Sequence, residues 1–412
     1  MADRVTVIGW DGSPLTEAAT AALSAATLVA GAAHHLALPE VPAHAEHIRL
    51  GSIDLAARRI AGHRGSAVVL ADGDPGFFGV VRNLRASEHG LEVEVVPAVS
   101  SVATAFARAG MPWEDAQTVV AHPRTLRRAV NVCRAHHKVA VLTSPGAGPA
   151  ELALLLEGVH RTFVICEELG TARERVSVVT SDKAADHAWR DPNVVIVIGG
   201  GPEAQPTGAW IAGRHPAYPR GVRGWALPSE AYPGAAQESA NETGEGESPQ
   251  LRAAQLARLG PRAGDLLWDI GSGSGALAVE AARFGAAVLA VDSDPAACAR
   301  TTAAARAHGV QIQVVEGRAP QVLERLPEPD LVRIGGGGVP VVTAVTEARP
   351  ERIVTHASTR DEAEALGAAL AGNGYTVGCS LLQSVELDTV AWSERERSVV
   401  FVLSALRSDL AP

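Results

Sequence analysis

The sequence predicts an α/β protein built in two halves, and two observations carry this. Short apolar runs bounded by Gly and Pro recur through most of the chain, with helix-period segments between them. That alternation is the signature of sheets covered by helices. Between residues 202 and 250 the rhythm stops: five prolines fall from Pro202 to Pro228, and residues 232–250 hold four glutamates and no basic residue. Such a composition reads as a linker, its acidic part mobile. Trp210, Trp225 and Tyr232 imply that its earlier part packs on a domain surface. The expected layout is a first domain over 1–201, a linker over 202–247 and a second domain over 248–412.

In the first half, residues 5–8 read as a buried strand, followed by the Gly9-Trp10-Asp11-Gly12 turn, an Ala-rich helix over 15–26 and a strand ending at Gly31. His34, His35, His44 and His47 come next at spacings that match no helical pair of ligands, so a solvated loop is expected there and no metal. Residues 67–71 form a third apolar run leading into Asp72, Gly73, Asp74, Pro75, Gly76, Phe77, Phe78 and Gly79. This is turn chemistry followed by an apolar lip. A loop at the C-terminal end of a buried strand is also where open α/β sheets bind ligands. A helix over 80–87 and a strand over 91–96 follow, Pro97 stops that strand, and Ser100 and Ser101 stand at a helix start, as cap or as ligand contact. Further strands are expected at 139–142, 162–166, 176–180 and 194–198, with helices near 126–136 and 149–156.

The second half is easiest to read at residues 266–294. A strand over 266–270 meets a Gly-Ser loop, then a helix with Leu277, Ala278, Ala281 and Ala282 on one face, then a strand over 288–291 ending in Asp292. Gly271, Gly273 and Gly275 let a ligand lie against the loop and the first free N–H groups of the helix. A carboxylate at Asp292 is placed to accept from both ribose hydroxyls of a nucleoside. A dinucleotide and S-adenosylmethionine (SAM) both suit this geometry. Asp269, two residues before the first glycine, would repel a pyrophosphate and suit an ammonium group or loop N–H donors, which favours SAM.

Around this unit a helix is expected over 250–259, another over 295–307 and a strand over 311–315. Gly317, Arg318 and Ala319 follow that strand, where a loop faces the adenine. A strand over 330–334 ends in Gly335, Gly336, Gly337 and Gly338, where the lack of bulk would let a large flat ligand approach. Strands near 352–356, 375–378 and 399–403 complete a sheet of about seven.

Composition bounds the rest. With 47% hydrophobic and 20% charged residues the chain reads as an ordinary soluble protein. A formal charge of −10 argues against an extended nucleic-acid surface. Cys133, Cys166, Cys298 and Cys379 are widely spaced with no C-x-x-C, as expected of a reduced cytoplasmic protein. No signal-like start and no apolar span of bilayer length is found, so neither export nor membrane insertion is expected.

Several motifs carry resemblances. VTVIG, LADGDPGFFG, VVPAVSSV, TSPGAGPAEL and EELGTARERV, in this order over roughly residues 1–200, resemble the tetrapyrrole methylase family, in particular its precorrin C5 branch. That resemblance implies two α/β subdomains holding SAM between them. Gly73, Asp74, Pro75, Gly76 and Phe77 would form one wall of that cleft, and Ser100 and Ser101 another. Relatives usually open with a G-x-G-P-G turn, where this chain reads GWDG.

DIGSGSGALAVEAA, VDSDPAACAR, EGRAP and IGGGG resemble the Rossmann-like, decarboxylating C15-methyltransferases of cobalamin biosynthesis. Relatives carry an I-T-K-x-E-V-R-A-like segment before the first strand; here it reads ESPQLRAAQL, and only Arg252 and Ala253 match. The two halves joined in one chain are themselves a known arrangement, the decarboxylating precorrin C5,15-methyltransferases. The resemblance implies SAM as cofactor, a tetrapyrrole rich in acetate and propionate arms as substrate, and C5 and C15 methylation divided between the halves. Arg252, Arg318 and Arg333 are candidate partners for those arms, and no catalytic residue is assigned. A homo-oligomer is expected, with no nucleic-acid or membrane partner. A dinucleotide-dependent oxidoreductase and a SAM-binding protein without turnover are the competing readings.

Overall fold

The computed structural model describes residues 4–200, 212, 224–233 and 248–410, and these form three sheets. The first is wholly parallel: β1 (Arg4–Trp10), β2 (Leu28–Gly31), β3 (Glu46–Arg49), β4 (Ala67–Asp72) and β5 (Glu92–Val96) lie in the order β3-β2-β4-β1-β5. Its inner strands are continuous apolar runs because both faces are covered. Val5, Val7 and Val69 pack with Ile60 on one face, and Ile8, Val68 and Leu70 pack with Leu23 on the other.

The second sheet holds β6 (Gln117–Val120), β7 (Lys138–Leu142), β8 (Arg161–Glu167), β9 (Arg175–Thr180) and β10 (Asn193–Gly199) in the order β6-β7-β10-β8-β9. Here only β6 and β7 run parallel.

The third sheet has seven strands: β11 (Leu266–Ile270), β12 (Ala287–Asp292), β13 (Gln313–Glu316), β14 (Leu331–Ile334), β15 (Arg352–Ala357), β16 (Tyr375–Leu387) and β17 (Glu394–Arg407). Their order is β13-β12-β11-β14-β15-β17-β16, with β17 antiparallel to both neighbours. The chain leaves β11 in one direction and returns on its other side at β14, so the switch point, where open sheets of this kind bind ligands, lies between those strands.

Three differences from the sequence reading have physical causes. β3 and β6, and the helix Ile53–Ala61, were not anticipated; β3 (EHIR) is an exposed edge strand and β6 (QTVV) is half-buried, so neither shows a full apolar run. The histidine-rich stretch is not simply a solvated loop: it holds a short helix, Ala33–Leu36, in which His35 is 2% exposed. Finally, the strands expected at 375–378 and 399–403 are only parts of a long hairpin. Beyond the core its residues are largely exposed, and the antiparallel ladder rather than burial sustains the pairing.

Most of the linker span, including Trp210, lies outside the described residues. Within residues 224–233, Tyr232 and Leu227 pack against Ala276 and Val279, and Trp225 stacks on Phe284 at 3.9 Å. The two halves also meet directly. The helix Leu126–Ala135 sends Asn131 Nδ2 to the Gly264 carbonyl (3.0 Å) and Arg128 to Asp265 (3.2 Å), while Arg127 pairs with Asp330. All three partners immediately precede β11 or β14, so this contact lies at the N-terminal ends of these central strands, opposite the loops that follow their C-terminal ends.

Candidate active sites

In the N-terminal half a cavity of about 280 Å³ opens between the first two sheets. Gly73, Asp74, Phe77, Ser100 and Ser101 line it, as the sequence suggested. Pro75 and Gly76 are not among its lining residues and instead shape the loop. Pro75 is buried against Gly9, and the Gly76 N–H donates to Asp74 Oδ1 (2.8 Å). Ser100 is the helix cap, accepting from the Val102 N–H (3.2 Å), and Ser101 opens the helix Ser101–Ala109.

The divergent GWDG turn is built into this cleft. Asp11 accepts from the N–H groups of Ser13 (3.0 Å) and Val99 (3.1 Å), tying its own turn to the loop before Ser100. Burial opposes its charge, but these donors prevail and hold its carboxyl below the usual range. Gly12 meets the loop that follows β8 in the second sheet: a Cβ there would lie 1.9 Å from the Gly170 carbonyl oxygen, so no side chain fits. A Cβ on Gly170 would in turn lie 2.1 Å from the Asp11 carbonyl oxygen, which accounts for the Gly at the end of EELG.

Sequence reasoning missed part of the wall. Asp72, Thr143 and Asn193 line the cavity, and the Thr143 hydroxyl donates to Asn193 Oδ1 at 2.7 Å. Thr143 opens the TSPGAG segment; Asn193 carries no signal in the sequence. Asp72 is the convergence point of the misjudged histidines. Its Oδ1 meets His34 Nε2 at 2.8 Å and His35 Nε2 at 3.0 Å, and these ligand-type atoms all lie within 4.8 Å of one another. The group has the donor set of a metal site. However, the Ala32 N–H donates to His35 Nδ1 (3.2 Å), which leaves the proton of a neutral ring on Nε2. His35 therefore donates to Asp72 and has no lone pair to offer there. Burial opposes charge on Asp72, yet the two histidine bonds outweigh it and hold its carboxyl far below the usual range. The Asp72 bond in turn raises the His34 pKa.

The charged residues lining this cavity are Asp11, Asp72 and Asp74, with no basic side chain among the described lining residues. A net positive ligand such as SAM suits that wall.

In the C-terminal half the predicted residues assemble at the C-terminal ends of β11, β12 and β13. Asp292 is their hub. Its Oδ2 accepts from the Gly273 N–H (3.0 Å), its Oδ1 from the Asp294 N–H (2.9 Å), and its carbonyl from the Gly317 N–H (2.8 Å). Each carboxylate oxygen keeps a further acceptor site, so hydroxyl groups of a ribose can still bind. Gly275 caps the helix Ala276–Arg283 at φ +76°, and a Cβ there would lie 2.7 Å from Thr301 Cα, so glycine is required. Gly271 and Gly335 abut across the switch point, with the Gly335 N–H donating to the Ile270 carbonyl at 2.7 Å. Of the four consecutive glycines, Gly335 is packed tightly against Gly271 and Arg333, and Gly337 against Val341; Gly336 faces open space. Ala319 is half-buried on the core, beside the exposed Arg318. The backbone cradle fits a nucleoside-bearing cofactor.

Three expectations are corrected. Arg252 is 1% exposed: its Nε donates to Glu280 (2.9 Å), it bonds the Leu227 carbonyl, and it lies 5.0 Å from the centre of the Tyr232 ring. It pins residues 224–233 to the domain and does not face a substrate. Arg333 is likewise buried, donating to the Gly271 carbonyl (2.8 Å) and to Asp269 (3.2 Å) beneath the loop. Asp269 is 0% exposed, so its charge is met by Arg333 and does not by itself select SAM over a pyrophosphate. Both apolar packing and this buried pair hold the loop from below.

Comparison with known proteins places both halves. Residues 10–185 match the Tetrapyrrole (Corrin/Porphyrin) Methylases, and residues 243–389 match the Precorrin methyltransferase domain. The chain is 33% identical over 390 residues to a precorrin-6Y C(5,15)-methyltransferase [decarboxylating] of Sinorhizobium sp., covering 91% of this chain and 88% of that protein. It is 35% identical over 190 residues to a cobalt-precorrin-7 C(5)-methyltransferase of Salmonella typhimurium, covering 45% of this chain and 92% of that one. A probable cobalt-precorrin-6B C(15)-methyltransferase (decarboxylating) of Pyrobaculum calidifontis is 37% identical over 131 residues, 29% of this chain and 67% of its own length. With a relative of this likeness along nearly its whole length and a family match in each half, the chain belongs to the decarboxylating precorrin-6Y C5,15-methyltransferase family.

Proposed function

We propose that this chain uses SAM to methylate a precorrin or cobalt-precorrin at two ring positions in cobalamin biosynthesis, converting precorrin-6B to precorrin-8. Residues 1–201 act at C5, and residues 248–412 act at C15 and release an acetate arm as carbon dioxide. The observation that carries this reading is family membership over 91% of the chain. The acid-lined cleft and the Asp292 cradle support it, since each suits one SAM.

Methyl transfer from a sulfonium needs in-line geometry and little activation, so positioning carries most of the catalysis. The chain contributes the Gly271–Gly275 loop and Asp292 in one half, and the Gly73–Asp74 loop with Ser100 and Ser101 in the other. Arg318, exposed at the end of β13, is the candidate contact for the carboxylate arms. Methylation at C15 leaves a cationic conjugated system. The neighbouring acetate then loses carbon dioxide, and the electron pair of the broken C–C bond returns to the ring.

Two further features follow from this reading. We place the enzyme in the reducing cytoplasm, in keeping with four free thiols, three of them buried. Association of copies is supported by the exposed hairpin of β16 and β17, where Leu381, Val385 and Leu387 stand at the surface.

The test is mass spectrometry of products after incubation with the tetrapyrrole and isotopically labelled SAM. Two labelled methyl groups and loss of one carbon dioxide are expected. The family resemblance implies that position 15 reacts first. Gly273→Val should then stop both additions, whereas Asp74→Lys should accumulate a product one methyl heavier and one carbon dioxide lighter. Equal accumulation of a singly methylated, non-decarboxylated product from both variants would overturn the division of labour.

A further inference from the structure

The histidines behind Asp72 have no part in the function above, and their cluster bears on how the N-terminal cleft tells the substrate cofactor from its product. Substrate SAM and product S-adenosylhomocysteine share the adenosine, the amino group and the carboxylate. They differ by one methyl group and by the positive charge on sulfur. A wall group that senses that charge distinguishes the two and limits inhibition by the product.

We propose that Asp72, with His34 and His35 behind it, is the group that makes the N-terminal cleft prefer the sulfonium cofactor over its neutral-sulfur product. The proposal rests on the reading of this cleft as a SAM site. Of the three carboxylates in the wall, two are committed to backbone. Asp11 spans the N–H groups of Ser13 and Val99, and Asp74 closes its own turn on the Gly76 N–H. Asp72 is built differently. Its donors are imidazole groups meeting a single oxygen, Oδ1, from the helix Ala33–Leu36. His35 is 2% exposed and its tautomer is set by the Ala32 N–H, so one donor of the clamp is fixed in direction. Trp10 closes the assembly, its ring 5.9 Å from that of His35 and 6.1 Å from that of His34, and it lines the cavity beside Asp72. The clamp keeps the carboxylate ionised and oriented while it remains part of the wall.

Asp72 also precedes Gly73 directly, and the Gly73 N–H donates to the Trp10 carbonyl at 2.7 Å. A purely structural role for the cluster would therefore be to hold this loop. The two roles separate cleanly, because loss of loop shape weakens both ligands alike, whereas loss of charge weakens only the sulfonium.

The experiment measures SAM and S-adenosylhomocysteine binding by calorimetry on the full chain carrying Gly273→Val, which closes the C-terminal site. Asp292→Ala is the background if that variant does not fold. A preference for SAM of about tenfold or more is expected, as one unit charge a few ångströms away gives in a partly solvated site. Asp72→Asn keeps the oxygen that accepts from the histidines and removes the charge. It should bring the ratio close to one while changing S-adenosylhomocysteine affinity by less than about threefold. Equal weakening of both ligands, or an unchanged ratio, would overturn the proposal while leaving the cleft a SAM site. Binding of neither ligand to the background protein would overturn the reading of the cleft itself, and the proposal with it.

Discussion

The two sites use charge in opposite ways. In the N-terminal cleft the ionisable groups Asp11, Asp72 and Asp74 stand in the wall, facing the space a ligand would fill. In the C-terminal crevice two ion pairs, Asp269 with Arg333 and Glu280 with Arg252, are sealed in the interior, and backbone N–H groups, glycines and the single carboxylate of Asp292 do the facing. The difference follows from architecture. A cleft between two sheets must be bridged by side chains. A switch point inside one parallel sheet already aims its loops and helix N-termini at a single place.

The interior charges of the C-terminal half give the largest way to break this contrast. Glu280 is 0% exposed and accepts from Arg252 Nε, from the N–H groups of Ala226 (2.7 Å) and Leu227 (3.1 Å), and from the Tyr232 hydroxyl (2.6 Å). Glu280→Ala strands a buried guanidinium and should cost about 3 to 5 kcal/mol in stability, read as an earlier urea transition of the C-terminal half. A loss below about 1 kcal/mol would mean that Arg252 and residues 224–233 are not held as described.

Next comes the backbone cradle. Gly273→Val puts a β-branched side chain at φ +54° and should weaken SAM binding at the C-terminal site at least about a hundredfold, with the N-terminal site unaffected. Structure determination of that variant with SAM in an undisturbed crevice would refute the backbone-facing account. Asp292→Ala is milder. It removes the proposed ribose acceptor and the bond that holds the Gly273 N–H, with an expected loss of about 1.5 to 3 kcal/mol in binding, measurable by calorimetry.

The smallest effect belongs to the N-terminal wall and depends on pH. Asp72 raises the His34 pKa, so their bond contributes fully below the ordinary histidine value of 6.5 and fades as pH rises through the folded value. The depressed carboxyl of Asp72 contributes above its ordinary value of 3.8 and is lost as pH falls through the folded value. Both groups are partly solvated, so the alkaline loss should be under about 1 kcal/mol. Thermal melts of the wild type and of His34→Gln between pH 6 and 9 would detect it, the variant being flat where the wild type declines.

What the sequence by itself determined is what lies close together along the chain. The strand, glycine loop, helix and acid-ended strand over residues 266–292 were legible because each piece has its own periodicity or turn chemistry. Asp292 and the loop glycines needed no distant partner to be recognised. The same holds for the Gly73–Asp74 turn and the Ser100 helix start. Tertiary structure alone decided which charges face inward. Arg252, Arg318 and Arg333 look alike in sequence, yet two are buried in ion pairs and one is exposed, because burial depends on what a separate element brings to the same place. It also decided the fate of His34 and His35, whose spacing indicates nothing until β2 and β4 pair side by side and carry Asp72 to them. Periodicity reports the face a residue occupies within its own element, whereas a site assembled across elements exists only after the sheets have formed.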